Sequence, residues 1–122
     1  MSDTILYDVN LQTCPNTWLC GQWRLQQRGP GPANIFSLAT ELVLDHDDVL
    51  MVLGPELGYS GTWRVERDPR LGRPYLTLTL PQENTRALVT RLQRTTDGQQ
   101  AAITLYLETG TELLLHGTPV SS

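Results

Sequence analysis

From Trp18 onward, apolar and polar residues alternate one by one along nearly the whole chain, and clusters of turn-forming residues separate the runs. A period of two sends successive side chains to opposite faces of a strand. WLCGQWRLQ (18–26) thus sets Leu19, Gly21, Trp23 and Leu25 on one face and Trp18, Cys20, Gln22 and Arg24 on the other. ELVLD and VLMVLG flank the acidic turn Asp45-His46-Asp47-Asp48 and read as a hairpin, since Asp side chains bond nearby backbone and tolerate turn conformations. GYSGTWRVE (58–66) sets Tyr59, Gly61, Trp63 and Val65 against Ser60, Thr62, Arg64 and Glu66, and YLTLTLP (75–81) is its expected partner. TRALVTRLQ follows, Thr96-Asp97-Gly98 marks a hairpin turn, and AAITLYLE and ELLLHG are joined by Thr109-Gly110-Thr111. No segment keeps a helical period.

Eight successive strands with short connections predict an all-β fold. The simplest arrangement is an eight-stranded antiparallel up-and-down meander closed into a barrel, because closure removes exposed strand edges. A barrel of this size has an interior that side chains just fill, or that holds one small ligand. A two-sheet sandwich fits the same alternation and is the rival architecture. GPGPANIFSLAT (29–40) is the long irregular stretch and is expected to form a short lid or helix after the first strand. ILYDVNLQ also alternates, so residues 1–17 are expected to be an N-terminal flap or extra strand of a single domain over 1–122. A length of 122 residues suits one core and is too short for two.

Cys20-Gly21-Gln22-Trp23-Arg24-Leu25-Gln26 is echoed by Ser60-Gly61-Thr62-Trp63-Arg64-Val65-Glu66, with glycine, tryptophan and arginine identical. A glycine two residues before an inward tryptophan leaves room for the ring or for a crossing backbone, so both copies read as packing motifs. With Gly21-Gln22-Trp23 on the first strand and a meander behind it, the chain resembles the lipocalin-like barrels of the calycin group, from about Trp18 to Gly117. The resemblance implies a non-catalytic barrel that binds a small apolar ligand, with Trp23, Trp63, Tyr59 and Met51 in its lining and 29–40 as its lid. In that family a basic residue late in the barrel packs on the first tryptophan, and His116 is the candidate for that place. Avidin-like barrels also open with Gly-x-Trp but take later tryptophans into their pocket, and this chain has none after Trp63. Lipocalin-like bilin lyases share the opening as well, which GQWRLQQR is similar to and which would imply chromophore handling.

Charge narrows the partners. Thirteen acidic residues against nine arginines, with no lysine, give a formal net charge of −4. That balance excludes a general nucleic-acid backbone binder, which needs surplus cations to displace counterions. MSDTILYDVN has no basic start followed by an apolar run, and no stretch reaches membrane-spanning length. A cytoplasmic, reducing setting is therefore expected, with Cys14 and Cys20 as thiols and no membrane partner.

Candidate chemistry adds little. Asp45-His46-Asp47-Asp48 has metal-like donors, but in a tight turn neighbouring side chains diverge, and a solvated turn is the expected outcome. Cys14 and Cys20 lie outside any Cys-x-x-Cys spacing and lack a second ligand pair, so buried thiols are expected, with an adduct at Cys20 as the functional exception. Arg64, Arg67, Arg70 and Arg73 gather around one hairpin, where guanidinium groups would bind a carboxylate or phosphate or be solvated beside Glu66 and Asp68. No nucleophile elbow or phosphate loop is present, so no catalytic residue, metal or cofactor is assigned. Two functions follow. One is a barrel holding a small apolar ligand. The other is a protein–protein interaction module with a filled core, such as an assembly factor, chaperone or inhibitor, with homo-oligomerisation among its options. For the second, Trp18 and Cys20 are the expected outward interface residues, since an outward tryptophan is either covered or an anchor.

Overall fold

The computed structural model describes residues 5–29, 39–81 and 83–119. The expected lid over 29–40 therefore lies almost entirely outside the described residues. Nine strands form one sheet: β1 (Tyr7–Asp8), β2 (Gly21–Arg28), β3 (Glu41–Leu44), β4 (Val49–Gly54), β5 (Leu57–Arg67), β6 (Pro74–Thr79), β7 (Asn84–Arg94), β8 (Ala101–Leu107) and β9 (Glu112–Pro119). Strands β2 to β9 are neighbours in sequence order, and β2 pairs with β9, so eight antiparallel strands close into a barrel. The sandwich is excluded by that closure. β1 is an additional short strand on β7, with Tyr7 opposite Arg94 and Asp8 opposite Gln93.

The alternation works as it should over most of the barrel. In β6 the buried residues are Pro74, Leu76 and Leu78, and in β4 they are Leu50 and Val52. Hydrophobic burial of this kind stabilises by about 1.5–3 kcal/mol per large side chain. Inward residues from all eight strands, among them Trp23, Leu42, Leu50, Trp63, Leu78, Val89, Ile103, Leu105 and Leu115, form one cluster. The expected turns are also present. Asp48 sits at φ 63 in the acidic turn and Gly98 at φ 72 in the Thr96-Asp97-Gly98 turn, each closing a short backbone hydrogen bond.

Two β-bulges break the alternation, one in β2 between Leu25 and Gln27 and one in β7 between Val89 and Arg91. In β7, Thr85, Ala87 and Val89 are buried, but past the bulge it is Leu92 that is buried and Arg91 that is exposed. One extra residue has exchanged the two faces of the strand.

A second departure lies at the start. The first barrel strand begins at Gly21, and Asn16–Leu19 is a single turn of 3-10 helix. Period-two reasoning does not apply in such a turn, so Leu19 and Cys20 are both buried although they are consecutive. No helix among the described residues is long and apolar enough to cross a membrane.

Candidate functional site

The chain N-terminal to β2 lies at the barrel end where β2, β4, β6 and β8 begin. Val9 N–H donates to Leu92 O at 2.8 Å, continuing the β1–β7 pairing, and the chain turns on Asn10, whose carbonyl accepts from Cys14 N–H at 3.0 Å. Arg67, the last residue of β5, holds this turn in place. Its Nη1 donates to Leu11 O (2.8 Å) and Gly72 O (2.9 Å), and its Nη2 donates to Cys14 O (2.6 Å) and Asn16 Oδ1 (3.1 Å). A planar fork of donors suits several diverging acceptors in a way an ammonium does not. Beyond it the 3-10 turn seats Leu19, Cys14 and Cys20 in the core.

Trp18 is half-buried against that core, and the guanidinium of Arg94 stacks on it, with Cζ 3.9 Å from the ring centroid. Around the stack Tyr7, Asp8, Val9, Thr95, Thr96, Asp97 and Gly98 complete a cleft of ≈ 390 Å³. Tyr7 is 52% exposed on its rim. The bulge in β7 is what brings Arg94 here. Without it, Arg94 would share the outer face with Arg86 and Leu88.

The residues expected to line a ligand cavity are not brought together around one. Trp23 and Trp63 both point inward but are packed and bonded: their Nε1–H groups donate to Leu19 O (3.0 Å) and Asp45 O (2.8 Å). Tyr59 is half-buried against the same cluster. Met51 is not a lining residue. It is 38% exposed, because Leu50 and Val52 on either side of it take the inward positions. Among the described residues, the core side chains around Trp23 and Trp63 keep 0–5% exposure. The void between Leu25, Ala39, Leu42, Leu113 and Leu115 measures ≈ 10 Å³, about the space of one water.

The expected interface pair also separates. Trp18 lies under Arg94, and Cys20 is buried rather than outward because it follows the 3-10 turn. Burial, then the charges of Asp45 and Asp48, push the Cys20 thiol above its ordinary range. A reactive thiolate needs the opposite. Both cysteines are free thiols.

His116 is exposed beside Arg24 and does not cover Trp23; Gly117 does, since a Cβ there would lie 2.8 Å from the indole. The four arginines 64–73 do not converge. Arg67 turns to the N-terminal segment and Arg64 is exposed, while Asp68 Oδ1 accepts from the backbone N–H groups of Arg70 and Leu71. These bonds hold the Asp68 carboxyl below its usual range. Among the described residues no three His, Cys, Asp or Glu side chains are placed to share a metal ion.

On the outer wall, cross-strand register lines up Glu66, Tyr75, Leu88, Tyr106 and Glu112 from β5 to β9. Leu88 is 40% and Tyr106 46% exposed, and Arg86 lies 5.8 Å over the Tyr75 ring. Neither this row nor the Trp18–Arg94 stack is legible from alternation alone, since the row depends on registers between strands and the stack on the bulge. Comparison of the chain with protein-family models, curated proteins and solved structures finds no match.

Proposed function

We propose that this protein is a non-catalytic, lipocalin-like barrel that acts as a protein–protein interaction module through its exterior. One observation carries the reading. The side chains that would line a ligand pocket are packed against each other, and both inward tryptophans have committed their N–H groups to backbone carbonyls. The outer wall supplies what such a module needs, a central apolar row of Tyr75, Leu88 and Tyr106 rimmed by charges. Buried aromatic anchors inside a polar rim are the usual anatomy of an interface.

The test is direct. Titrating the protein with a fatty acid or a bilin is expected to leave tryptophan emission without a saturable change, since Trp23 and Trp63 are buried and their N–H groups are bonded to backbone carbonyls. Saturable quenching would restore the ligand-binding reading. In parallel, co-purification with mass spectrometry is expected to capture a partner that Leu88→Asp or Trp18→Ala releases. A partner retained by both variants, or none captured by the wild type, would count against the module.

A further inference from the structure

We propose that the cleft beside Trp18 is a receptor for one carboxylate carried by a protein partner, with the Arg94 guanidinium as its anchor. This deepens the interaction-module reading and rests on it.

Arg94 differs from Arg67 and Arg91, the guanidinium groups that hold the N-terminal segment. Arg67 has four oxygen acceptors, and Arg91 donates through Nε to Asp8 Oδ1 at 2.9 Å. The Arg94 guanidinium makes no hydrogen bond or ion pair with any described residue, and its Nε is buried with no acceptor. Both carboxylates beside the cleft are engaged elsewhere. Asp8 is held by Arg91, and Asp97 accepts from Thr95 Oγ1 (2.6 Å) and Gln99 N–H (3.0 Å).

Such an arrangement costs free energy unless something completes it. A buried donor without an acceptor loses its hydration for nothing, and such groups in native proteins are exceptions that call for an explanation. Stacking on Trp18 uses the face of the guanidinium, whereas its N–H groups lie in its plane and stay available at the edge. A carboxylate accepting from that edge forms a charge-assisted pair in partly desolvated surroundings, where such pairs are strong. The stack also holds the group in one orientation before binding.

The surroundings favour a carboxylate on a polypeptide. Tyr7 and Trp18 offer aromatic surface for a neighbouring apolar side chain. β1 ends the strand order, so its second edge has no strand partner among the described residues, and an extended chain finds backbone donors and acceptors next to the cleft. Asp97 on the same cleft, and a net charge of −4, oppose a diffuse polyanion and leave a single carboxylate as the matching group.

The test uses the full-length, ¹⁵N-labelled protein and four probes: Ac-Ala-Leu-Phe-OH, its C-terminal amide, Ac-Ala-Glu-Phe-NH₂ and sodium acetate. The Arg94 Nε–H and Trp18 indole N–H resonances are expected to shift saturably with at least one of the two carboxylate peptides. Which one responds separates a chain terminus from an acidic side chain. The fully amidated peptide is expected to bind at least about tenfold more weakly, as is the tight-binding peptide to Arg94→Gln, the loss expected for one charge-assisted pair. Unchanged Trp23 and Trp63 indole resonances would show that the variant barrel is intact. If Arg94→Gln does not fold, the comparison of acid with amide on the wild type still decides. Equal binding of acid and amide, or no shift with either acid peptide up to about 5 mM, overturns the proposal, and acetate binding as tightly as the peptides overturns the polypeptide source. Capture of a partner that survives Arg94→Gln would refute this cleft while leaving the module reading standing.

Discussion

Arg67 shows how much one side chain decides at this end of the barrel. Its guanidinium ties the end of β5 to Leu11, Cys14 and Asn16, positions more than fifty residues earlier in the chain. Arg67→Gln leaves several carbonyls unpaired and is expected to destabilise by about 2–4 kcal/mol in urea unfolding, with Arg67→Lys recovering part of the loss. Cys20 supports a second residue-scale prediction. Its folded-state pKa is raised, so its contribution to stability is present below the unfolded thiol's pKa and is lost as pH rises through the folded value. Iodoacetamide at pH 8 is expected to modify Cys20 slowly in the native protein and rapidly once urea unfolds it; equal rates would show an open thiol. Neither role was legible locally. Arg67 looked like one of four clustered arginines, and Cys20 lay one residue before the strand whose alternation was extended to it.

Within the elements, close approaches and bulges carry the specificity. Gly117 of β9 lies opposite Trp23, and a Cβ there would press on both the Gln22 carbonyl and the indole ring. Gly61 of β5 is similarly overlain by the Thr79 carbonyl of β6. Gly117→Ala and Gly61→Ala are each expected to lower stability by about 1–3 kcal/mol through overpacking, measured as a drop in the urea midpoint with the slope unchanged. The Gly-x-Trp echo thus predicted the need for space correctly at Gly61, while the glycine serving Trp23 came from the last strand and was visible only through register. The β7 bulge can be tested by deletion. Thr90 is the extra residue, so its deletion would leave Arg91 opposite Thr104 and Leu92 opposite Ile103 with both faces unchanged, and the deletion variant is expected to keep cooperative unfolding followed by near-ultraviolet circular dichroism.

For the whole molecule, stability rests on a core of leucine, valine and tryptophan and on turns stapled by acidic side chains. Hydrogen bonds from Thr95 and Gln99 hold Asp97 below its usual range, those from Leu71 and Arg70 do the same for Asp68, and those from Thr77 and Tyr75 do so for Glu66. Each folded pKa lies below its unfolded value. Their contribution is therefore fully present above about pH 5 and is lost as pH falls through the folded values, since unperturbed carboxyls titrate near 4. The urea midpoint is expected to be flat from pH 7 to about 5.5 and to fall below pH 4. Asp97→Asn should reduce that fall, and a midpoint unchanged down to pH 3 would contradict it.

The order of strands, the hairpin turns and most of the core were determined by the sequence alone, with the closed barrel as the simplest arrangement and the sandwich as its rival. A period of two and the chemistry of turn residues are local properties, and eight adjacent strands have one simple way to remove their edges. Tertiary structure alone decided three things: that the strands close into one barrel with Trp23 and Trp63 packed in its core, that Met51 and Cys20 sit opposite to expectation, and that Arg94 covers Trp18. The reason is the same in each case. Packing volume, a one-residue bulge and contacts between distant segments arise only when strands meet, and no window along the chain contains both partners.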